Sequence, residues 1–71
     1  MIVYDGTKSN FLSSVENGTI AEEVESRVLA RMGRHTGKSE FNSWQNSMIH
    51  MHMVLSDTQI PDNAGVAIEY N

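Results

Sequence analysis

A row of small polar side chains and one carboxylate follows the middle of the chain at helical spacing. Glu40, Ser43 and Ser47 recur at steps of three and four, which places them on one strip of an α-helix. No other carboxylate joins Glu40 at this spacing, so no general acid–base pair is visible. The strip is therefore either a solvated helix edge or the lining of a polar cleft roofed by the Trp44 ring.

The same segment carries large apolar residues at steps of three, four, three and four, which predicts the buried or interface stripe of a long helix. Its members are Phe41, Trp44, Met48, Met51 and Leu55.

The second half of that helix is apolar around most of its circumference, because Ile49, Met53 and Val54 lie outside the stripe. A helix of this kind is either packed between neighbours or provides a self-association surface, for which adaptable methionines are suited.

Two further motifs lack the residue spacing that their functions require. Gly33–Ser39 has three residues between its glycines, where a phosphate-binding loop needs four, so we predict an ordinary capped loop that could at most attract an anion. Pro61-Asp62 followed by Glu69 is similar to a metal-dependent nuclease signature, but the two acids are too close in sequence to lie on neighbouring strands. Asn71 occupies the position of the lysine in that signature.

Composition restricts the other kinds of site. The 71 residues include no cysteine, and His50 and His52 lie on different sides of a helix, so we predict no metal site. The formal charge of −4 argues against strong nonspecific nucleic-acid binding by the whole chain. Four of its five basic residues are nevertheless clustered without an intervening acid, which makes them the candidate nucleic-acid contacts: Arg27, Arg31, Arg34 and Lys38.

Local signals predict an α+β fold with three helices and two short terminal strands. The strands are expected at 2–4 and 66–70, and the helices at about 9–17, 20–32 and 40–56, the last being the longest. Gly18 is expected to end the first helix, and Thr19 with Glu22 forms a capping box for the second. We find neither a signal peptide nor an apolar run long enough to span a bilayer, so we expect a cytoplasmic protein without membrane contact.

Two short strands alone make an unstable sheet. They either pair with each other or pair with strands outside these 71 residues, and we favour the second alternative because open strand edges need partners. On this interpretation residues 1–71 are a single N-terminal fragment of a larger domain, with the remainder of its own polypeptide or a second copy as partner.

Several stretches, in order along most of the chain, carry a family resemblance. They are Ile2–Lys8 (IVYDGTK), Gly18–Ala21 (GTIA), Lys38–Glu40 (KSE) with Ser43–Trp44 and Asn46–Ser47, and Ile60–Asp62 (IPD) with Gly65–Tyr70 (GVAIEY). Together they resemble the N-terminal segment of the Schlafen-group-3-like DNA/RNA helicase family of bacteria.

The resemblance implies an incomplete restriction-endonuclease-like domain joined, in the parent protein, to an ATP-driven helicase motor. Mg²⁺ and ATP are then cofactors of the parent, with none in this chain. Glu40 would match the acid that a helix contributes to such sites, and Glu69 an acid on the first core strand. The function implied is nucleic-acid processing, with the 71 residues catalytically silent by themselves. The alternative is a small structural module that self-associates through its Met-rich helix.

Overall fold

The computed structural model of the protein describes the backbone of residues 1–32 and 38–70, and the side chains of residues 1–30 and 42–70. The element order is β1 (Ile2–Thr7), α1 (Lys8–Glu16), α2 (Ile20–Met32), α3 (Lys38–Ser56) and β2 (Gly65–Glu69). The predicted α+β class, with three helices and two terminal strands, is confirmed. Among the described residues, none of the helices combines the length and apolar content needed to cross a bilayer.

The two terminal strands pair with each other, which corrects the favoured expectation that both would need outside partners. They form an antiparallel two-stranded sheet in which Tyr4 faces Ile68 and Gly6 faces Val66. The prediction that the first strand ends at residue 4 was also wrong. Asp5 and Thr7 lie opposite Ala67 and Gly65, so cross-strand pairing extends the strand through residues with turn propensity.

A bulge in β1 explains why two consecutive residues of that strand are buried. Ile2 pairs with Glu69 and Tyr4 with Ile68, so Val3 is the extra residue. Val3 is fully buried and Tyr4 is 7% exposed, whereas a regular strand would turn one of them outward. The bulge thus lets a short strand supply two side chains to the core.

Each helix buries apolar side chains in the core. Gly18 adopts a φ of +80° after α1, and the backbone bonds Thr19 N to Ser14 O (2.9 Å) and Gly18 N to Val15 O (3.3 Å) complete a Schellman cap. The core of the described residues contains side chains from every element: Val3, Tyr4, Phe11, Ile20, Val24, Val28, Trp44, Met48, Leu55 and Ile68.

Three boundary predictions need adjustment. Helix α1 begins at Lys8 because Thr7 is its N-cap, the Thr7 Oγ1 accepting from Asn10 N at 3.1 Å. Helix α3 begins at Lys38, so Ser39 lies within it, and β2 occupies 65–69 where 66–70 was expected. At the start of α2 the Thr19 hydroxyl donates to Asn17 Oδ1 (2.7 Å) and lies 3.5 Å from Glu23 Oε1. These contacts replace the predicted capping box between Thr19 and Glu22.

Candidate functional site

An open groove of about 580 Å³ lies between one flank of α3 and the end of β2. The two polar helix residues predicted from spacing, Ser43 and Ser47, both line it. Trp44 does not roof this groove, because its side chain is fully buried in the core beneath α3. The described residues that line it are Ser43, Asn46, Ser47, Met48, His50, Met51, Glu69 and Tyr70.

The helical repeat explains the polar wall of this groove. Ser43, Ser47 and His50 are separated by four and three residues, so they form one strip beside the buried stripe of α3. The Ser47 hydroxyl donates to the Ser43 carbonyl at 3.1 Å, a bond that uses its proton and leaves the oxygen as an acceptor. This wall therefore offers acceptors and an imidazole to a polar ligand.

The β2 wall carries Glu69 and Tyr70. Glu69 is exposed and its neighbour Ile68 is buried, so strand alternation directs the Glu69 side chain away from the helices, at the margin of the groove. Tyr70 is half-buried, and its backbone N–H donates to the carbonyl of Met1 at 2.9 Å. The Met1 ammonium lies 3.4 Å from the Tyr70 carbonyl, so the chain N-terminus adjoins this end of the groove.

The chemistry available in the groove is limited. Among its described lining residues, one carboxylate and one imidazole are the only titratable side chains apart from the Tyr70 phenol, and none is a lysine or an arginine. A phosphate would therefore find no permanently cationic side chain there. Within the described residues, no group of three or more His, Asp or Glu side chains could hold a metal ion. The described lining offers hydrogen-bonding groups to a polar ligand and lacks a recognisable nucleophile–base pair.

The other predicted site residues are only partly described. Glu40 lies in α3 one turn before Ser43, but its side chain falls outside the described residues, as do those of Phe41, Arg31, Arg34 and Lys38. Arg27 is described, and its Nη1 donates to the Val3 carbonyl at 3.4 Å. This contact joins α2 to β1 and gives Arg27 a structural role.

Helix α3 is buried on one side only, the side that carries the predicted apolar stripe. Met48 and Leu55 are buried, Met51 is half-buried and Trp44 is fully buried, as the core interpretation predicts. The opposite side is not packed between neighbours, which corrects the alternative of a sandwiched helix. Its exposed apolar side chains are Ile49 (53% exposed), Met53 (61%) and Val54 (43%).

Sequence reasoning missed a buried lysine. Lys8 is 5% exposed, and its Nζ donates to the carbonyls of Ile60 (2.8 Å) and Thr58 (3.4 Å). The backbone N–H of Lys8 donates to Ala64 O and that of Ser9 to Asp62 O, so the start of α1 holds the loop that leads to β2. No sequence signal identifies these partners, since they are backbone carbonyls about fifty residues away.

A partly buried polar cluster connects β1, α1 and α2. The Ser14 hydroxyl donates to Glu23 Oε1 at 2.9 Å, and Ser14 is 6% exposed. Burial raises the pKa of the Tyr4 phenol, the charge of Glu23 raises it further, and a hydrogen bond with Ser14 opposes both effects. The spacing of Ser14 from Phe11 places it on the buried face of α1, so its burial could have been predicted from the sequence, although its partner could not.

A second cross-helix contact involves His52. Its Nε2 lies 3.4 Å from Glu16 Oε2, within ion-pair range for a protonated imidazole but without hydrogen-bond geometry. The contact joins α3 to the last turn of α1.

No protein-family model, curated protein or solved structure matches this chain. Its function therefore has to be argued from its residues and their geometry.

Proposed function

We propose that this chain is the N-terminal part of a nucleic-acid-processing protein with a nuclease-like domain, and that these 71 residues alone do not catalyse cleavage. The observation that carries the proposal is a convergence of distant residues. Ser43, Asn46 and Ser47 belong to one family-like stretch and Glu69 and Tyr70 to another, and all five line the same groove.

The composition of the groove explains why catalysis would need more chain. A Mg²⁺ ion in such sites is bound by one or two carboxylates together with waters and substrate phosphates. The groove supplies the single carboxylate of Glu69, and Glu40 is the second acid that the resemblance implies. These donors do not make a complete metal site, so no reaction step is assigned to a metal ion held by this chain. In the parent protein Mg²⁺ and ATP would serve the completed domain and its motor.

The first experiment measures cleavage of single-stranded and duplex DNA by the 71-residue protein in Mg²⁺ or Mn²⁺. We expect no turnover above that of a Glu40→Ala/Glu69→Ala double variant prepared in parallel. Clear turnover that Glu40→Ala abolishes would overturn the claim that the chain is catalytically silent.

The second experiment measures nucleic-acid binding by fluorescence anisotropy over a salt series. An Arg31→Ala/Arg34→Ala/Lys38→Ala variant should bind more weakly than wild type, with a salt slope reduced by roughly 0.7–0.9 for each phosphate that the variant no longer neutralises. Asn42→Ala, an exposed substitution in α3 that leaves the charge unchanged, is the matched control. Salt-independent binding, or no binding even at low salt, would contradict the nucleic-acid proposal for this segment.

A second candidate function, self-association, is favoured by the exposure of Ile49, Met53 and Val54 on one face of α3. Burial of such side chains against a partner is favourable by about 25 cal/mol per Å² of apolar area removed from water. Sedimentation velocity over a concentration series should show a reversible dimer that Ile49→Ser/Met53→Ser weakens. Leu29→Ser, at a 36% exposed apolar position on α2, should leave the dimer intact. A wild-type chain that stays monomeric throughout would remove this candidate.

A further inference from the structure

The junction between α1 and α2 contains the one Asn-Gly pair of the sequence, Asn17-Gly18. Both residues are exposed, so water reaches them. In such a pair the backbone nitrogen of the glycine can attack the side-chain carbonyl carbon of the asparagine, because glycine has no side chain to obstruct the approach. A methyl group at Gly18 would meet nothing within 4 Å, so the surroundings of this nitrogen are open as well.

The reaction needs no partner other than water. The Gly18 nitrogen bonds to Asn17 Cγ, its proton leaves with the side-chain amide as ammonia, and a succinimide ring results. Water then adds to one of the two ring carbonyls and opens the ring. Opening at one carbonyl gives aspartate. Opening at the other gives isoaspartate, in which the main chain runs through Cβ and Cγ.

The folded backbone holds the two reacting atoms apart. Asn17 has a ψ of 1°, which turns the Gly18 nitrogen toward the Asn17 nitrogen and away from Cβ. Ring closure needs the Gly18 nitrogen on the same side as Cβ, at a ψ of about −120°, which lies outside the helical and extended regions. The attack therefore requires a large rotation about the Asn17 Cα–C bond.

Hydrogen bonds of the helix cap oppose this rotation. The backbone N–H of Gly18 donates to the Val15 carbonyl at 3.3 Å, and that of Thr19 donates to the Ser14 carbonyl at 2.9 Å. The side-chain oxygen of Asn17 accepts from the Thr19 N–H at 3.1 Å and from the Thr19 hydroxyl at 2.7 Å. Turning the peptide between Asn17 and Gly18 would break these bonds, so the attack requires the cap to open.

We propose that Asn17-Gly18 is a site of spontaneous modification that this cap controls. Asn17 deamidates while the cap is open, and the isoaspartate that forms prevents the cap from closing again. Isoaspartate adds one carbon atom to the main chain, so the N–H groups of Gly18 and Thr19 no longer reach the carbonyls of α1. The new carboxylate also lies at the negative end of the α1 dipole.

The first measurement compares deamidation of the folded chain with that of the chain unfolded in urea, at the same mildly alkaline pH. Peptide mapping by mass spectrometry gives the rate at Asn17, with Asn42 and Asn46, which each precede a serine, as internal controls. Asn17 should react at least roughly 10-fold more slowly in the folded chain, because the open cap is a minor state. Equal rates would overturn control by the cap. In urea, an Asn17 that reacts no faster than the two controls would overturn the site itself.

The second measurement weakens the cap. Thr19→Val removes the hydroxyl that donates to Asn17 Oδ1 and keeps a side chain of similar size. It should speed deamidation of the folded chain roughly 2- to 10-fold, as expected for the loss of one capping contact, and leave the rate in urea unchanged. Ser13→Ala, at an exposed side chain in α1, is the matched control and should change neither rate. An unchanged rate in folded Thr19→Val would contradict the role of the cap.

Low urea concentrations separate opening of the cap from global unfolding. Opening one cap exposes little surface, so the rate should hardly change below the unfolding transition. A rate that rises with the full denaturant dependence of unfolding would overturn local control.

The last measurement tests the effect of the product on the fold. The purified isoaspartate form should melt at a lower temperature than Asn17→Asp, which carries the same charge on an unaltered main chain. If the two melt alike, the claim that the modification disables the cap is wrong.

Discussion

At the scale of single residues, Lys8 departs furthest from what its type and position predict. Lysine is seldom fully buried, and a cation in the first turn of a helix opposes the helix dipole. The carbonyls of Ile60 and Thr58 provide the compensating contacts. Lys8 thus stabilises a connection between the start of α1 and the loop before β2.

Replacing Lys8 by methionine keeps most of the buried aliphatic stem and removes the ammonium. Two carbonyls in a partly buried site then lose their donor, which should lower the free energy of unfolding by about 1–3 kcal/mol. Urea denaturation measures the change. Ser9→Ala, at an exposed side chain in the same turn, should change stability by less than about 0.5 kcal/mol. Equal effects of the two substitutions would contradict the interpretation that Lys8 stabilises the connection between α1 and the loop before β2.

Tyr4 makes the stability of the fold depend on pH in the alkaline range. Its folded-state pKa lies above the usual value of 10.0, because burial and the nearby Glu23 charge disfavour the phenolate. As the pH rises past about 10, the unfolded chain therefore loses this proton first. The stabilisation that comes from the protonated Tyr4 phenol is fully present below the pKa of this group in the unfolded chain. It is lost as the pH rises through the pKa of Tyr4 in the folded protein.

Tyr4→Phe should remove this part of the alkaline loss of stability while keeping the edge-to-face contact with Phe11. Urea denaturation at about pH 9 and about pH 11 measures the difference. Tyr70→Phe is the control, because it removes the other tyrosine of the chain and retains Tyr4. If wild type and Tyr4→Phe lose stability equally between the two pH values, Tyr4 is not the responsible group.

At the scale of secondary structure, the end of α1 shows how one residue determines a boundary. Gly18 has a φ of +80°, a conformation that glycine adopts readily and L-residues rarely adopt. The backbone N–H groups of Gly18 and Thr19 donate to carbonyls in the last turn of α1. A methyl group at Gly18 would meet nothing within 4 Å, so any cost of a substitution comes from the backbone alone.

Gly18→Ala should therefore destabilise the fold by about 1–2 kcal/mol through left-handed strain. Gly65→Ala is a matched control, because it also has open space around the added methyl group but has no positive φ. We expect it to be neutral within about 0.5 kcal/mol, since a surface substitution away from special conformations costs little. Thermal unfolding of the two variants measures the contrast, and equal destabilisation would contradict the assignment of strain to Gly18.

At the scale of the whole molecule, stability depends on a small core in which Trp44 is the largest fully buried side chain. It lies in α3, and the core around it contains side chains from β1, α1, α2 and β2. A chain of this size has little stability in reserve, since native domains are typically stable by only about 5–15 kcal/mol.

Trp44→Ala should cost about 3–5 kcal/mol, enough to unfold much of the population at room temperature. Near-ultraviolet circular dichroism would lose the tryptophan signal in any case, so far-ultraviolet melting is the informative measurement. Asn42→Ala, at an exposed position two residues earlier, should melt like wild type. Unchanged melting of Trp44→Ala would show that this ring is not part of the core.

The sequence by itself determined the type and order of the secondary structure. Helical periodicity predicted α3 and its buried stripe, and Gly18 predicted the end of α1, because these signals are local and depend on a few neighbouring residues. The polar strip of Ser43 and Ser47 was predicted for the same reason, and both residues line the groove.

Only the tertiary structure decided what these elements contact. Pairing of β1 with β2 joins residues about sixty positions apart, from 58 for Thr7 with Gly65 to 67 for Ile2 with Glu69. This pairing lengthened β1 through Asp5 and Thr7 against their local propensity. The carbonyl partners of Lys8 likewise depend on contacts between distant parts of the chain. Local propensity is weaker than cross-strand hydrogen bonding and burial, so contacts of this kind are decided when the chain folds as a whole.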